Sequence, residues 1–211
     1  MASLKTRGRC ARCGKDFQHA GMGKHIAGCV GVGAALHVAV DVGPGTWWMH
    51  LALAPTATLR DLDGFLRATW LECCGHISAI EAGGKRFESY LARDEMSWGP
   101  KPRSMAAKAS TALQVGSTFT HEYDFGTTTT LRGRVIGHVK DGREKVALLA
   151  RNEPIPWPCD GCGAPAVRVC PHCGAMACGG CAPPCDCVDS WEDETLPVVN
   201  SPRMGVCGYS G

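Results

Sequence analysis

Aromatic side chains are scarce, at 7% of the 211-residue chain, so any apolar core has to be built mainly from aliphatic residues. An excess of charge of one sign is also missing. The 22 Lys and Arg against 20 Asp and Glu give a formal +2, which excludes a strongly basic nucleic-acid-coating chain and a highly charged disordered one. No apolar run is long enough to span a bilayer. The weakly polar stretch 26–40 is rich in glycine, is interrupted by His37 and runs into Asp41. Residues 1–12 are basic and polar, with no apolar region of an export signal. The expected setting is therefore a reducing cytoplasm, where paired cysteines signify metal or catalysis rather than disulfides.

What the chain has in quantity is cysteine, 14 residues, with 27 Gly and 13 Pro. Eleven of the cysteines fall into two compact groups near the ends, leaving Cys73, Cys74 and Cys207 outside them. Charge is segregated too: residues 1–25 sum to +5, and residues 159–200 to −5.

Cys10-Ala-Arg-Cys13-Gly has the form of a zinc knuckle, and His25 and Cys29 follow at helical i, i+4 spacing. The pattern C-x2-C-x11-H-x3-C specifies a closed Cys3His zinc site. His19 lies too far from Cys29 to share a helix face with it. Phe17 and Met22 are expected to form the small core of this finger, whose folding energy is its metal binding. Arg7, Arg9, Arg12, Lys15 and Lys24 surround it and are candidate phosphate contacts.

In the middle of the chain, Leu36–Val42 and Trp47–Ala54 read as strands around a Gly43-Pro44-Gly45 turn. Thr58 caps a helix with apolar residues Leu59, Leu62, Phe65, Leu66 and Trp70 on one side, and Gly75 ends it. His76–Ala82 reads as a third strand. Residues 93–111 read as a loop with a short helical piece, and three more strands follow over 117–125, 127–139 and 145–151. Asp141-Gly142 is a hairpin signal. The fold class is α+β, with a mostly antiparallel sheet.

The order strand, strand, helix ("TLRDLDGFLRATW"), then "CGHISAI", then "HEYDFG" resembles the plasmid pRiA4b ORF-3-like family (the MM3350-like domain) over about residues 36–151. Some relatives in that family are labelled passenger proteins of insertion elements. The resemblance implies a fold, and with it a possible connection to a mobile element. Many members follow the Tyr123-Asp124-Phe125-Gly126 motif with acidic and His residues. Thr127 to Thr130 stand there in this chain, so no role carries over to those positions.

Eight cysteines follow the linker 153–158: Cys159, Cys162, Cys170, Cys173, Cys178, Cys181, Cys185 and Cys187. They make two tetrahedral zinc sites. An interleaved arrangement gives C-x2-C-x15-C-x2-C for the first site and leaves Cys170, Cys173, Cys185 and Cys187 for the second. Sequential pairing would close tighter loops. The spacing resembles HIT- and MYND-type cross-brace fingers, which are mostly protein-interaction modules, and His172 inside a knuckle is expected to be exposed.

The sequence thus describes a finger over 1–33, an α+β domain over 34–152, a two-zinc module over 153–190 and a tail over 191–211. Three zinc ions are expected. The function expected is non-enzymatic: nucleic acid bound through the basic finger, a protein partner through the acidic module, and no membrane. The competing reading is an enzyme with a cleft near His76, His121 and Asp124, or with Cys207 as nucleophile. Cys73-Cys74-x-His76 offers metal ligands, but adjacent cysteines chelate one ion awkwardly, so Cys73 and Cys74 are expected to serve as small packing residues.

Overall fold

A computed structural model describes residues 6–43, 45–90, 101–140, 144–182 and 184–211. The Asp141-Gly142 turn and the first part of the expected loop, 93–100, lie outside the described residues. The chain divides into two compact bodies, Met1–Ala68 with His76–Glu153, and Thr69–Gly75 with Pro154–Gly211.

In the first body the chain opens with strands β1 (Arg7–Cys10) and β2 (Asp16–Gln18), then helix α1 (His19–Val30). Strands β3 (Ala35–Val42) and β4 (Trp47–Leu53) follow, then helix α2 (Leu59–Leu66). β5 (Ser78–Ala82), β6 (Lys85–Glu88), β7 (Arg103–Ser104) and the short α3 (Ala109–Ala112) come next. β8 (Thr118–Tyr123), β9 (Thr129–Val139) and β10 (Val146–Asn152) complete it. One ten-stranded sheet results, in the order β2-β1-β10-β4-β3-β9-β8-β5-β6-β7. Every pairing but β6 with β7 is antiparallel. The α+β expectation holds, and all six strands read from the middle of the chain are present. β6 and β7 were not legible: each is too short to show a period of two, and β7 lies inside the segment read as a loop.

Residues 1–33 do not stand apart from this sheet. β1 pairs with β10 in the register Gly8 with Asn152 and Cys10 with Ala150. A Cβ on Gly8 would lie 2.2 Å from the Arg151 carbonyl oxygen and 2.5 Å from the Trp48 ring, so the close approach of these strands requires glycine. From α1, Met22, Ile26 and Val30 are buried in one cluster with Trp48, Ala52, Val139 and Leu149. The spacing of four between buried residues is the helix period, so this face docks on the sheet.

Helix α2 begins as its sequence indicates. Thr58 Oγ1 accepts from the Asp61 N–H at 3.2 Å, and Asp61 Oδ2 accepts from the Thr58 N–H at 2.8 Å, a reciprocal capping box. Leu59, Leu62 and Leu66 are buried. Beyond Leu66 the helix widens into a π turn, Arg67–Leu71, and Cys73 and Cys74 occupy a bend.

The second body holds a three-stranded sheet of β11 (Arg168–Val169), β12 (Met176–Ala177) and β13 (Leu196–Pro197), in the order β12-β11-β13. A one-turn helix α4 (Trp191–Glu194) precedes β13. The tail is therefore folded, since β13 pairs with β11 and the Val198 N–H donates to the Val167 carbonyl at 2.9 Å. In the same body Ser201 Oγ donates to the Trp70 carbonyl at 2.5 Å. Among the described residues no helix is long and apolar enough to cross a membrane.

Candidate metal centres

Cys10 closes β1 and Cys13 lies in the turn after it, where Gly14 takes φ +70°. His25 and Cys29 project from α1, one helical turn apart. The ligand atoms of Cys10, Cys13, His25 and Cys29 all lie within 4.8 Å of one another. Cys13 Sγ is 3.3 Å from His25 Nε2, and the His25 ring stacks on Phe17 with centroids 4.1 Å apart. His19 is elsewhere, stacked on Trp48. Phe17 and Met22 do pack beneath the cluster, but in the core that the sheet shares.

In the second body Cys159, Cys162, Cys178 and Cys181 form one cluster, and Cys170, Cys173, Cys185 and Cys187 the other, each within the same 4.8 Å limit. This is the interleaved arrangement. The knuckle glycines Gly163 and Gly174 have φ +75° and +76°, as the turns after their cysteines require. Backbone N–H groups of Cys178, Gly161 and Cys162 point at Cys159 Sγ and lower its pKa to about 6. At Cys170, burial pushes the thiol up, but the N–H groups of Cys173 and His172 bring it down to about 7. Cys181, by contrast, is pushed up to about 12 by its hydrogen bonds with Cys162, Cys178 and Cys159, by burial and by the charge of Cys159. A cation between them would hold all four as thiolates. His172 is exposed.

The donor sets fit zinc. With Zn–S of 2.3 Å, a tetrahedral site has an S–S edge of about 3.8 Å, and Cys162 Sγ lies 3.7 Å from Cys178 Sγ. Sets of four sulfur and nitrogen donors, with no open position, are those of structural zinc.

The expected count of three is corrected: among the described residues, four clusters could hold a metal. The fourth comprises Cys73, Cys74, His76 and Cys207. The expectation that Cys73 and Cys74 only pack is corrected with it: Cys74 is exposed and Cys73 half-buried. Helical spacing would send adjacent side chains apart, but the bend after the π turn lets them converge. The signal available in sequence was C-C-x-H, and its missing partner lies 133 positions from Cys74.

The basic residues Arg7, Arg9, Arg12, Lys15 and Lys24 are all exposed. They are not equivalent. Arg7 Nη2 donates to the Asp16 carbonyl at 3.1 Å, and Arg9 pairs with Asp16 at 3.1 Å and Glu153 at 3.4 Å. Among the described residues no acidic group pairs with Arg12, Lys15 or Lys24, and Lys15 and Lys24 line the pocket over Cys13 and Cys29. Sequence reasoning missed two further cations. Arg132 and Arg134 alternate with buried Leu131, Gly133 and Val135 on β9, and Arg134 shares a cleft with Lys24. Their alternation was the available signal.

The candidate catalytic groups divide: His76 lies with Cys207 in the fourth cluster and near Asp124, whereas His121 pairs with Asp63. His121 is fully buried, its Nε2 2.8 Å from Asp63 Oδ1, which also accepts from Ser78 Oγ at 2.6 Å. His76 Nδ1 is 3.7 Å from Asp124 Oδ1. Asp124 Oδ1 accepts the Gly126 N–H at 3.0 Å, the turn cap that its sequence position suggests. His37 Nε2 and His50 Nδ1, both buried, are 2.9 Å apart. Burial lowers His37 to about 4, and burial with the nearby His37 and His19 lowers His50 to about 3.

The chain matches no protein-family model and no curated protein sequence. Among solved structures it is similar to the crystal structure of MM3350, a protein of unknown function from Methanosarcina mazei Go1. The identity is 20% and the TM-score 0.40, over 68% of this chain and 72% of the other.

Proposed function

We propose that this chain is a non-enzymatic zinc protein of the reducing cytoplasm that joins a nucleic acid to a protein partner. The amino-terminal Cys3His centre presents cations to phosphate, and the acidic two-zinc module takes a basic or apolar protein surface. The observation that carries the reading is the set of exposed, unmatched cations Arg12, Lys15 and Lys24 around the first cluster, extended by Arg132 and Arg134. Phosphate binding draws on such groups, because each releases a condensed counterion. The absence of catalysis is supported by His121, which is fully buried against Asp63.

The test is fluorescence anisotropy of the intact protein on duplex DNA and on RNA across a salt series. If Arg12, Lys15 and Lys24 each meet one phosphate of a duplex, they contribute about −3 to the log–log salt slope. Replacing all three by Ala should flatten the slope by that amount and weaken binding alike for all sequences. Arg9→Ala should change it less than Arg12→Ala, since Asp16 and Glu153 already hold Arg9. No binding at low salt, or an unchanged slope in the triple variant, refutes the nucleic-acid half of the reading.

A further inference from the structure

We propose that Cys73, Cys74, His76 and Cys207 form a fourth zinc site, which fastens the carboxy-terminal tail to the segment that follows α2. It lies outside the three centres legible in the sequence and does not depend on them. Cys73, Cys74 and Cys207 belong to the second body, and His76 follows Cys74 after a single glycine.

The donor set is three thiols and an imidazole, with the four ligand atoms within 4.8 Å of one another. Cys74 Sγ and Cys207 Sγ are 3.5 Å apart. That is close to the edge of about 3.8 Å of a tetrahedral zinc thiolate and to the 3.7 Å between Cys162 and Cys178.

A further observation comes from Arg203. Its side chain is fully buried, and Nη2 donates to Cys73 Sγ at 3.7 Å. A cation beside a cysteine favours the thiolate, the form that binds a metal. Metal binding would release the three thiol protons to solvent.

The segment that carries His76 is tied down by its backbone, whose N–H donates to the Tyr123 hydroxyl at 3.3 Å. Cys207 is held at φ +52°, a conformation that non-glycine residues keep only where their surroundings dictate it.

The experiment uses the full chain, purified under reducing conditions without added metal, and counts zinc by elemental analysis and native mass spectrometry. Cys207→Ser and Cys74→Ser should each lose one ion and keep the circular dichroism of the parent. A fall of one ion in Cys207→Ser supports the site whatever the other three clusters hold. An unchanged count in both Cys variants, or a Cys74–Cys207 disulfide in the reduced preparation, overturns it and leaves those three untouched.

Discussion

Replacing Cys13 by Ser should destabilise the ten-stranded body as a whole, not merely the first 33 residues. Cys13 and Cys10 would hold a metal against α1, and α1 buries Met22, Ile26 and Val30 in the cluster that contains Trp48, Ala52, Val139 and Leu149. Burying such a side chain contributes about 1.5–3 kcal/mol, so releasing the helix face forfeits roughly 5–9 kcal/mol. Domains of this kind have total stabilities of only about 5–15 kcal/mol, so the loss is comparable to the whole. β1 would be released with the helix, exposing the edge of β10 to which it pairs. The assay is hydrogen exchange by mass spectrometry on native and Cys13→Ser protein, read over residues 47–53 and 146–152. Ile26→Ala, with an intact metal site and an expected cost of about 2–5 kcal/mol, should accelerate exchange in the same strands. If residues 19–30 lose protection in Cys13→Ser while 47–53 and 146–152 keep theirs, the finger folds independently and the reasoning fails.

At the other end, Cys162→Ser and Cys178→Ser should lose the same ion, and Cys173→Ser and Cys187→Ser the other. Cadmium-substituted protein should then show the same missing NMR signal within each pair and different ones between pairs; any other grouping contradicts the interleaved arrangement. The His37–His50 pair makes a pH prediction. Both groups are neutral in the folded chain, with values of about 4 and 3, whereas an unfolded His titrates near 6.5. Between those values the unfolded state binds more protons, so stability is full above about pH 6.5 and falls with pH by up to about 1.4 kcal/mol per unit for each histidine. Urea unfolding from pH 7.5 to 5 should show a shallower decline in His37→Gln, and parallel declines would refute the assignment.

The sequence alone determined whatever depends on local spacing. C-x2-C with a following glycine, and His25 four positions before Cys29 on a helix, require only the geometry of a turn and of one helical repeat. Thr58 and Asp61 likewise determined where α2 starts, and the spacing of 15 residues between Cys162 and Cys178 favoured the interleaved sites. What the fold decided are the relations between residues far apart in the chain. Nothing local indicates that Gly8 must approach Arg151, so a strand that reads as part of a separate finger became an element of the sheet. Nothing local could say that Arg9 would be held by Glu153, or that Arg132 and Arg134 on β9 would extend the basic surface. Cys73 and Cys74 read as packing residues because a regular helix would separate their side chains. A π turn, a bend and a tail that returns along β11 converge them with Cys207 instead. Side-chain period is a property of a few consecutive residues, whereas a ligand set is a property of the space they share after the chain has closed on itself.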